Sequence, residues 1–198
     1  MNNSKNRHGI DYTSLEYLKN GSHEQAEVYE LLVQLNIFEQ LRDYNPILAG
    51  TVPIGINLSS SDLDIICEVY EPETFAKVVS QLYGEEEGFS VRSRTVDGVH
   101  RVVSSFVCRN WTIELFGQPI PTTQQNAYRH MIVEARVLSI WGDKARDRII
   151  ELKRSGLKTE PAFARMLGIS GDPYQALLDM YDWDNERLRD YIHRHNLV

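Results

Sequence analysis

The run Leu63-Asp64-Ile65-Ile66-Cys67-Glu68-Val69 constrains the fold more than any other segment of the chain. Its β-branched and apolar residues alternate with a two-residue period, so it reads as a strand that sends Leu63, Ile65, Cys67 and Val69 into a core. The carboxylate of Asp64 then emerges on the opposite face. Asp62 lies two residues earlier at the strand's edge and points the same way, because side chains alternate along an extended chain. Two carboxylates on one face, close together but held apart by the pleat, form a chelating pair for a hard cation such as magnesium.

The sequence around this strand predicts an α+β fold. Ser22 and Gln25 form a capping box ahead of a helix that runs toward Leu41 with a break near Asn36, and Asn45-Pro46 ends it. A second helix begins at Pro72 and closes at Gly84. Asp97-Gly98 between two β-type runs signals a hairpin, and Arg109-Asn110 marks another turn before Trp111 to Phe116. These strands are expected to form an antiparallel meander joined to the Leu63 strand, giving a mixed or antiparallel sheet. After Pro121 the period becomes helical, with Thr122 and Gln125 read as a second capping box. Further helices follow at 144–153, 160–167, 174–181 and 186–193. The division expected is an α/β core over residues 1–121 and a helical region over 122–198 packed on it.

Composition narrows the function. The chain has 198 residues, of which 42% are hydrophobic and 25% charged, as in ordinary globular proteins. Its formal net charge of -7 argues against a protein that coats nucleic acid, and long duplex nucleic acid is excluded as an acceptor. Cys67 and Cys108 both sit in apolar runs, which fits free thiols in a cytoplasmic setting. Met1 to His8 carry no apolar segment, and no later stretch is apolar enough for a membrane span.

Between the first helix and the carboxylates lies Gly50-Thr51-Val52-Pro53-Ile54-Gly55-Ile56-Asn57-Leu58-Ser59-Ser60-Ser61. Gly50 and Gly55 allow backbone N–H groups to approach a triphosphate, and Thr51 adds a hydroxyl donor. Taken singly these pieces are weak, since an Asp-x-Asp pair also occurs in surface turns where Asp bonds its own backbone. Their order, glycine loop, polar spacer, Ser61, carboxylate pair and apolar strand, is what points to nucleotide chemistry.

With these residues the sequence resembles the nucleotidyltransferase superfamily related to DNA polymerase beta, in which Gly-Ser or Gly-Gly precedes Asp-x-Asp or Asp-x-Glu by about ten residues. The spacing is similar to that of the aminoglycoside nucleotidyltransferases. The whole chain is similar to an uncharacterised bacterial domain-of-unknown-function family within the superfamily, through Gly50-Thr51, Ser61-Asp62-Leu63-Asp64-Ile65, Gln125 with Tyr128-Arg129-His130-Met131, and Pro161-Ala162-Phe163-Ala164. The resemblance implies that Asp62 and Asp64 hold magnesium or manganese on a nucleoside triphosphate, and that a third carboxylate on a neighbouring strand binds metal or takes the acceptor's proton. Glu68 is roughly 13 Å along the strand from Asp64, too far to share a metal, and Asp97 sits in a hairpin turn. Glu114, between Ile113 and Leu115, is the candidate, because a carboxylate among apolar neighbours is costly without a metal or partner, and it is chosen over the alternative of a structural salt bridge. Thr51 and Glu114 depart from the commoner Ser or Gly and Asp.

The resemblance therefore implies transfer of a nucleoside monophosphate to an unknown small-molecule, protein or RNA acceptor, with pyrophosphate released. A catalytically inactive nucleotide-binding or protein-interaction module, or an antitoxin-like partner, would keep the same fold. Gly50, Thr51, Gly55, Ser61 and Arg129 are the expected nucleotide-binding residues. Arg129 is placed on one helical face with Gln125, and a solvated charged helix face is its plainer alternative. Arg92 and Arg94 alternate along one strand face and could line an acceptor cleft opposite the carboxylates, or merely protect an edge. His130 reads as a hydrogen-bonded structural histidine. A faint helix-turn-helix at 164–178 lacks the basic residues needed to read a major groove.

Overall fold

The computed structural model describes residues 9–194. Met1 to His8, read above as carrying no apolar leader, lie outside the described residues. The chain divides into two compact units. One comprises the chain up to Pro53 together with Ser61–Gln125, the other Ile54–Ser60 together with the chain from Asn126 on.

The first unit is an α/β unit. Helix α1 (His23–Gln34) opens with the expected capping box: Ser22 accepts from the Gln25 N–H, and the Gln25 side chain accepts from the Ser22 N–H. Asn36 in the left-handed region breaks the helix before the short α2 (Ile37–Gln40). Helix α3 (Pro72–Tyr83) starts on Pro72, and Gly84 ends it in a right-handed conformation, φ -59, where sequence patterning points to the left-handed cap usual for glycine.

Five strands, β1 (Ile47–Ala49), β2 (Leu63–Glu68), β3 (Glu87–Val96), β4 (Val99–Cys108) and β5 (Trp111–Gln118), form one mixed sheet in the order β1-β2-β5-β4-β3. The β3–β4 hairpin turns on Asp97 and Gly98, both at positive φ, as a two-residue turn of the hand that suits strand twist requires. The final strand β5 inserts between β2 and β4, antiparallel to β4 and parallel to β2. The parallel pair is possible because α3 and the hairpin supply the long crossover between them.

Leu63, Ile65, Cys67 and Val69 enter the core, where they join Ile113, Leu115, Val102 and Phe106 from the sheet with Phe75 and Val79 of α3 and Leu31 and Leu32 of α1. Cys67 and Cys108 are free thiols. The second capping box is absent. Thr122–Gln124 form a 3-10 turn and Gln125 is extended, its amide buried and donating to the Cys67 and Ile120 carbonyls. Burial of the Gln125 amide under β2 outweighed its local capping propensity.

The second unit is helical: α4 (Asn126–Trp141), α5 (Asp143–Arg154), α6 (Thr159–Met166), α7 (Pro173–Met180) and α8 (Asn185–Arg194). Helix α4 packs against α5, α7 and α8, and α6 bridges α5 and α7. Arg136 is buried in it and donates to the carbonyls of Met180, Tyr181 and Trp183 and to Asn185 Oδ1. The turn between α7 and α8 is thereby held by one guanidinium, whose planar fork matches several acceptors at once. Residues 164–178 form two packed helices, α6 and α7. No described helix is long and apolar enough to cross a membrane.

Glu134 of α4 is 3% exposed, and its carboxyl is pushed up to about 8, first by burial and then by the charge of Glu160, with Lys153 opposing. Its folded pKa lies above the unfolded value, so the unfolded chain ionises first. Stability is then full below about 4.5, falls as pH rises from there to about 8, and is flat above, a total on the order of 5 kcal/mol. Urea denaturation across this range should show the decline in the wild type and a flatter profile in Glu134→Gln. An unchanged slope in the variant would assign the pH dependence elsewhere.

Candidate active site

The register of the parallel pair builds the site. Asp64 of β2 is the Cα partner of Glu114 of β5, and Glu114 is in turn the partner of Ser105 on β4. Directly paired residues present their side chains on one face, so the two carboxylates stand side by side, one interstrand spacing of ~4.8 Å apart at the backbone. On the other flank Ala49 of β1 pairs with Asp64. Asp62 lies one residue before β2, exposed, two residues from Asp64.

The glycine loop closes onto this pair. Gly50 sits at φ +81, and a Cβ there would lie 2.6 Å from Asp64 Oδ2. Only glycine lets the backbone of the loop approach the carboxylate so closely in that conformation. Thr51 Oγ1 donates to Ser61 Oγ at 3.4 Å, tying the start of the loop to its end. The intervening Ile54–Ser60 belongs to the helical unit. Its carbonyls are held from α5: Arg146 donates to Ile54 and Gly55, and Lys153 to Ile56 at 2.7 Å. Gly55, expected at the phosphates with Gly50, thus has its carbonyl engaged by Arg146. Arg146 and Lys153 were missed by sequence reasoning, because donors aimed at backbone carbonyls leave no pattern in the residues they hold.

The carboxylates are not neutralised by protein cations. Among the described residues no Lys, Arg or His lies within ion-pair distance of Asp62, Asp64 or Glu114. Burial pushes the Asp64 carboxyl up to about 7, and the negative charges of Glu114 and Asp62 add to the rise. Glu114 is raised by burial and by Asp62, with Arg92 and Arg94 pulling the other way. Uncompensated, half-buried carboxylates that repel one another are the donor set a hard divalent cation would relieve. As posed, no three His, Cys, Asp or Glu side chains among the described residues form a ready metal shell.

Glu68 accepts from Asn45 and Tyr70 and takes no part. Gln125 precedes α4 and does not share a helical face with Arg129. Arg129 lies over the Tyr181 ring, 4.7 Å from guanidinium carbon to centroid, and 4.0 Å from Asp182. Helix α4 is not a solvated face either, since Tyr128, Met131, Val133, Glu134 and Arg136 are all buried in it. His130 is structural, with Nε2 on the Tyr174 carbonyl at 3.0 Å and Nδ1 3.5 Å from Glu160.

The family model described as "Domain of unknown function (DUF4269)" matches residues 30–180. The chain belongs to this family. Among solved structures it is similar to the Cid1 poly(U) polymerase with MgGTP bound, at TM-score 0.51 and 11% identity over 82% of this chain and 53% of that one. It is also similar to a cytoplasmic RNA terminal U-transferase, at TM-score 0.50 and 13% identity over 84% and 54%, and to the GLD-2/RNP-8 complex structure, at 0.52 and 13% over 90% and 80%. The chain therefore spans only 53% and 54% of the first two. At such identities the likeness shows a shared fold and no more. No curated protein sequence matches the chain.

The packing of Gly50 on Asp64 makes a paired prediction. Gly50→Ala is expected to lose about 1–2 kcal/mol from positive φ and the clash. Asp64→Asn should instead stabilise the metal-free protein above pH 7 by on the order of 1–2 kcal/mol after allowance for solvent screening, a few degrees in Tm. Thermal melts in chelator test both, and a destabilised Asp64→Asn would mean that this carboxylate serves the fold.

Proposed function

We propose that the chain transfers a nucleoside monophosphate from a nucleoside triphosphate to an acceptor hydroxyl and releases pyrophosphate. The observation that carries this reading is the direct pairing of Asp64 with Glu114, with Gly50 against Asp64, Asp62 two residues away and, among the described residues, no protein cation within ion-pair distance. In this reading residues 1–121 are the catalytic core and residues 122–198 a helical region. Asp62 and Asp64 hold magnesium or manganese, with Glu114 as third ligand or base. When bound, such a cation neutralises phosphate charge and polarises the phosphoryl oxygens. The similar Cid1 structure, described with MgGTP bound, supports this choice.

The protein's own groups do the rest. Backbone N–H groups of the Gly50–Gly55 loop, with the Thr51 and Ser61 hydroxyls, receive the triphosphate and fix its α-phosphorus. Glu114, kept from full acidity by its surroundings, accepts the proton of the acceptor hydroxyl. The hydroxyl oxygen forms the new bond to the α-phosphorus, the bond to the bridging oxygen breaks, and the electron pair leaves with pyrophosphate. Arg129, a proposed further phosphate contact, would exchange Asp182 for the phosphate oxygens. Two free cysteines fit a cytoplasmic setting. The acceptor is a small molecule, a protein or an RNA end, and not long duplex nucleic acid, which the net charge of -7 opposes.

One observation favours a second reading, a nucleotide-binding or protein-interaction module without catalysis: the three carboxylates do not form a ready metal shell as posed. Calorimetry separates metal-nucleotide binding from its absence. Asp62→Asn and Asp64→Asn should each weaken magnesium-ATP binding by at least about tenfold, the scale on which even outer-shell changes act. Wild-type affinity in both variants would remove the metal assignment. Incubation of labelled ATP, GTP, CTP and UTP with cell extract should then give a labelled product that Asp64→Asn fails to make. Nucleotide binding without any labelled product would select the non-catalytic module.

A further inference from the structure

The two outer strands of the first unit carry charge of the opposite sign on the face that Asp64 and Glu114 occupy. Register places it there. Ser105 pairs with both Glu114 and Ser90, Val103 pairs with Arg92, and Arg101 pairs with Arg94. Arg92, Arg94 and Arg101 therefore stand on the carboxylate face, while the intervening Val91 packs on the core from the other side.

This grouping is costly in the isolated protein. Arg94 and Arg101 are direct cross-strand neighbours of like charge, an arrangement that destabilises a sheet. Among the described residues none of the three arginines has a carboxylate within ion-pair distance. The Nε of Arg101 is buried and has no hydrogen-bond partner. A buried donor left unpaired is one that a ligand can satisfy. Nor does bulk composition explain the cluster, since the chain has 21 Lys and Arg against 28 Asp and Glu. The field of Arg92 and Arg94 reaches Glu114, where it opposes the effect of burial.

We infer that the β3–β4 ribbon seats the acceptor and that the acceptor bears phosphate, with Arg92, Arg94 and Arg101 on its phosphate oxygens and its hydroxyl offered at Glu114. The inference rests on the nucleotidyl-transfer reading and names the acceptor class that reading leaves open. Arg92 and Arg94 are spaced two residues apart along the strand, ~7 Å, and Arg101 lies one strand across, ~5 Å. One carboxylate fills a single guanidinium fork, whereas three forks spread over that area match a ligand with several phosphate oxygens. From Glu114 to Arg92 is two strands across and one two-residue step along, roughly 10 Å by 7 Å, a span that a nucleotide-sized acceptor and an extended arginine cover together. A polycationic acceptor is repelled by the same face. The phosphate chemistry is offered equally by the end of a single-stranded oligonucleotide and by a small phosphorylated molecule.

The test is binding of labelled single-stranded uridine probes, a dinucleotide and a decanucleotide, to the full chain without nucleotide or metal, followed by fluorescence anisotropy over a NaCl titration. Each of Arg92→Gln, Arg94→Gln and Arg101→Gln should weaken binding by about tenfold, the scale of one charge-assisted hydrogen bond. The slope of log affinity against log salt should be about -2 for three contacts and lose about 0.7 with each arginine. Arg94→Lys should keep the slope. Arg92 and Arg94 are exposed, so their variants retain the fold even where Arg101→Gln does not. Equal affinity for the two probes identifies a small phosphorylated acceptor, and affinity that grows with length identifies an oligonucleotide. Absence of binding, or binding with unchanged slope in the Arg92 and Arg94 variants, overturns the inference. If magnesium-ATP binding still depends on Asp64 in that case, only the acceptor assignment fails. Ribbon binding without magnesium-ATP binding would instead remove the nucleotidyl-transfer reading and leave a phosphate-binding face.

Discussion

Two half-buried carboxylates placed in register on adjacent parallel strands are the constraint around which the first unit is organised. Asp64 and Glu114 repel one another and have both lost water, yet no cation of the protein lies within ion-pair distance of them. A fold selected for stability alone would fill such positions with apolar residues, as it does at Ile65 and Leu115 one residue along each strand. The surrounding features accommodate the cost. Ala49 is the small cross-strand partner of Asp64, and Gly50 brings its backbone against the carboxylate in a conformation other residues resist. Stored electrostatic cost of this kind is common where a charged ligand is to be bound.

The parallel pairing also fixes what flanks the carboxylates. Because β5 enters between β2 and β4, the hairpin that precedes it becomes the outer part of the same sheet. Its register then determines which of its side chains share the carboxylate face. Had β3 slipped by one residue against β4, Arg92 and Arg94 would point toward the core and Val91 toward solvent. Packing of Val91 and Phe89 on the core therefore holds the arginines where they are. The tight turn at Asp97-Gly98 sets that register at its closed end, and the irregularity between Glu87 and Ser90 relaxes it at the open end.

Much of this was legible in the sequence where one local rule acted alone. The capping box at Ser22, the break at Asn36, the hairpin turn and the alternation of β2 each follow from two or three neighbouring residues. Asp62, Asp64 and Glu114 could be picked out because a carboxylate next to strand-forming apolar residues is conspicuous. What failed was the reading of Gln125. Its spacing from Thr122 suits a capping box, but burial under β2 recruits its amide to two carbonyls instead. The helical face expected to join Gln125 to Arg129 is absent for the same reason, since α4 begins only at Asn126. The roles of Arg136, Arg146 and Lys153 were illegible for another reason. Their acceptors are main-chain carbonyls, which every residue possesses, so no residue type marks the partner.

The segment that separates the glycine loop from the carboxylates shows why such contacts matter to a site built elsewhere in the sequence. The chain leaves the α/β unit after Pro53 and returns to it at Ser61, one residue before Asp62. Between those points Arg146 and Lys153 hold three successive carbonyls, at Ile54, Gly55 and Ile56. At the return, the Thr51 hydroxyl meets that of Ser61. Asp62 is therefore bounded by a tied loop on one side and by β2 on the other, although it lies outside the strand and is exposed to solvent. A free loop of this length would let Asp62 sample many positions, each with a different distance to Asp64, and ordering it on ligand binding would cost conformational entropy. Prior anchoring of the backbone reduces that cost. The lysine contributes in a second way. Burial lowers the Lys153 pKa, and the nearby Glu134 and Glu160 of the same helical unit oppose that lowering only in part, so the group that fastens the Ile56 carbonyl is itself set among acids of that unit.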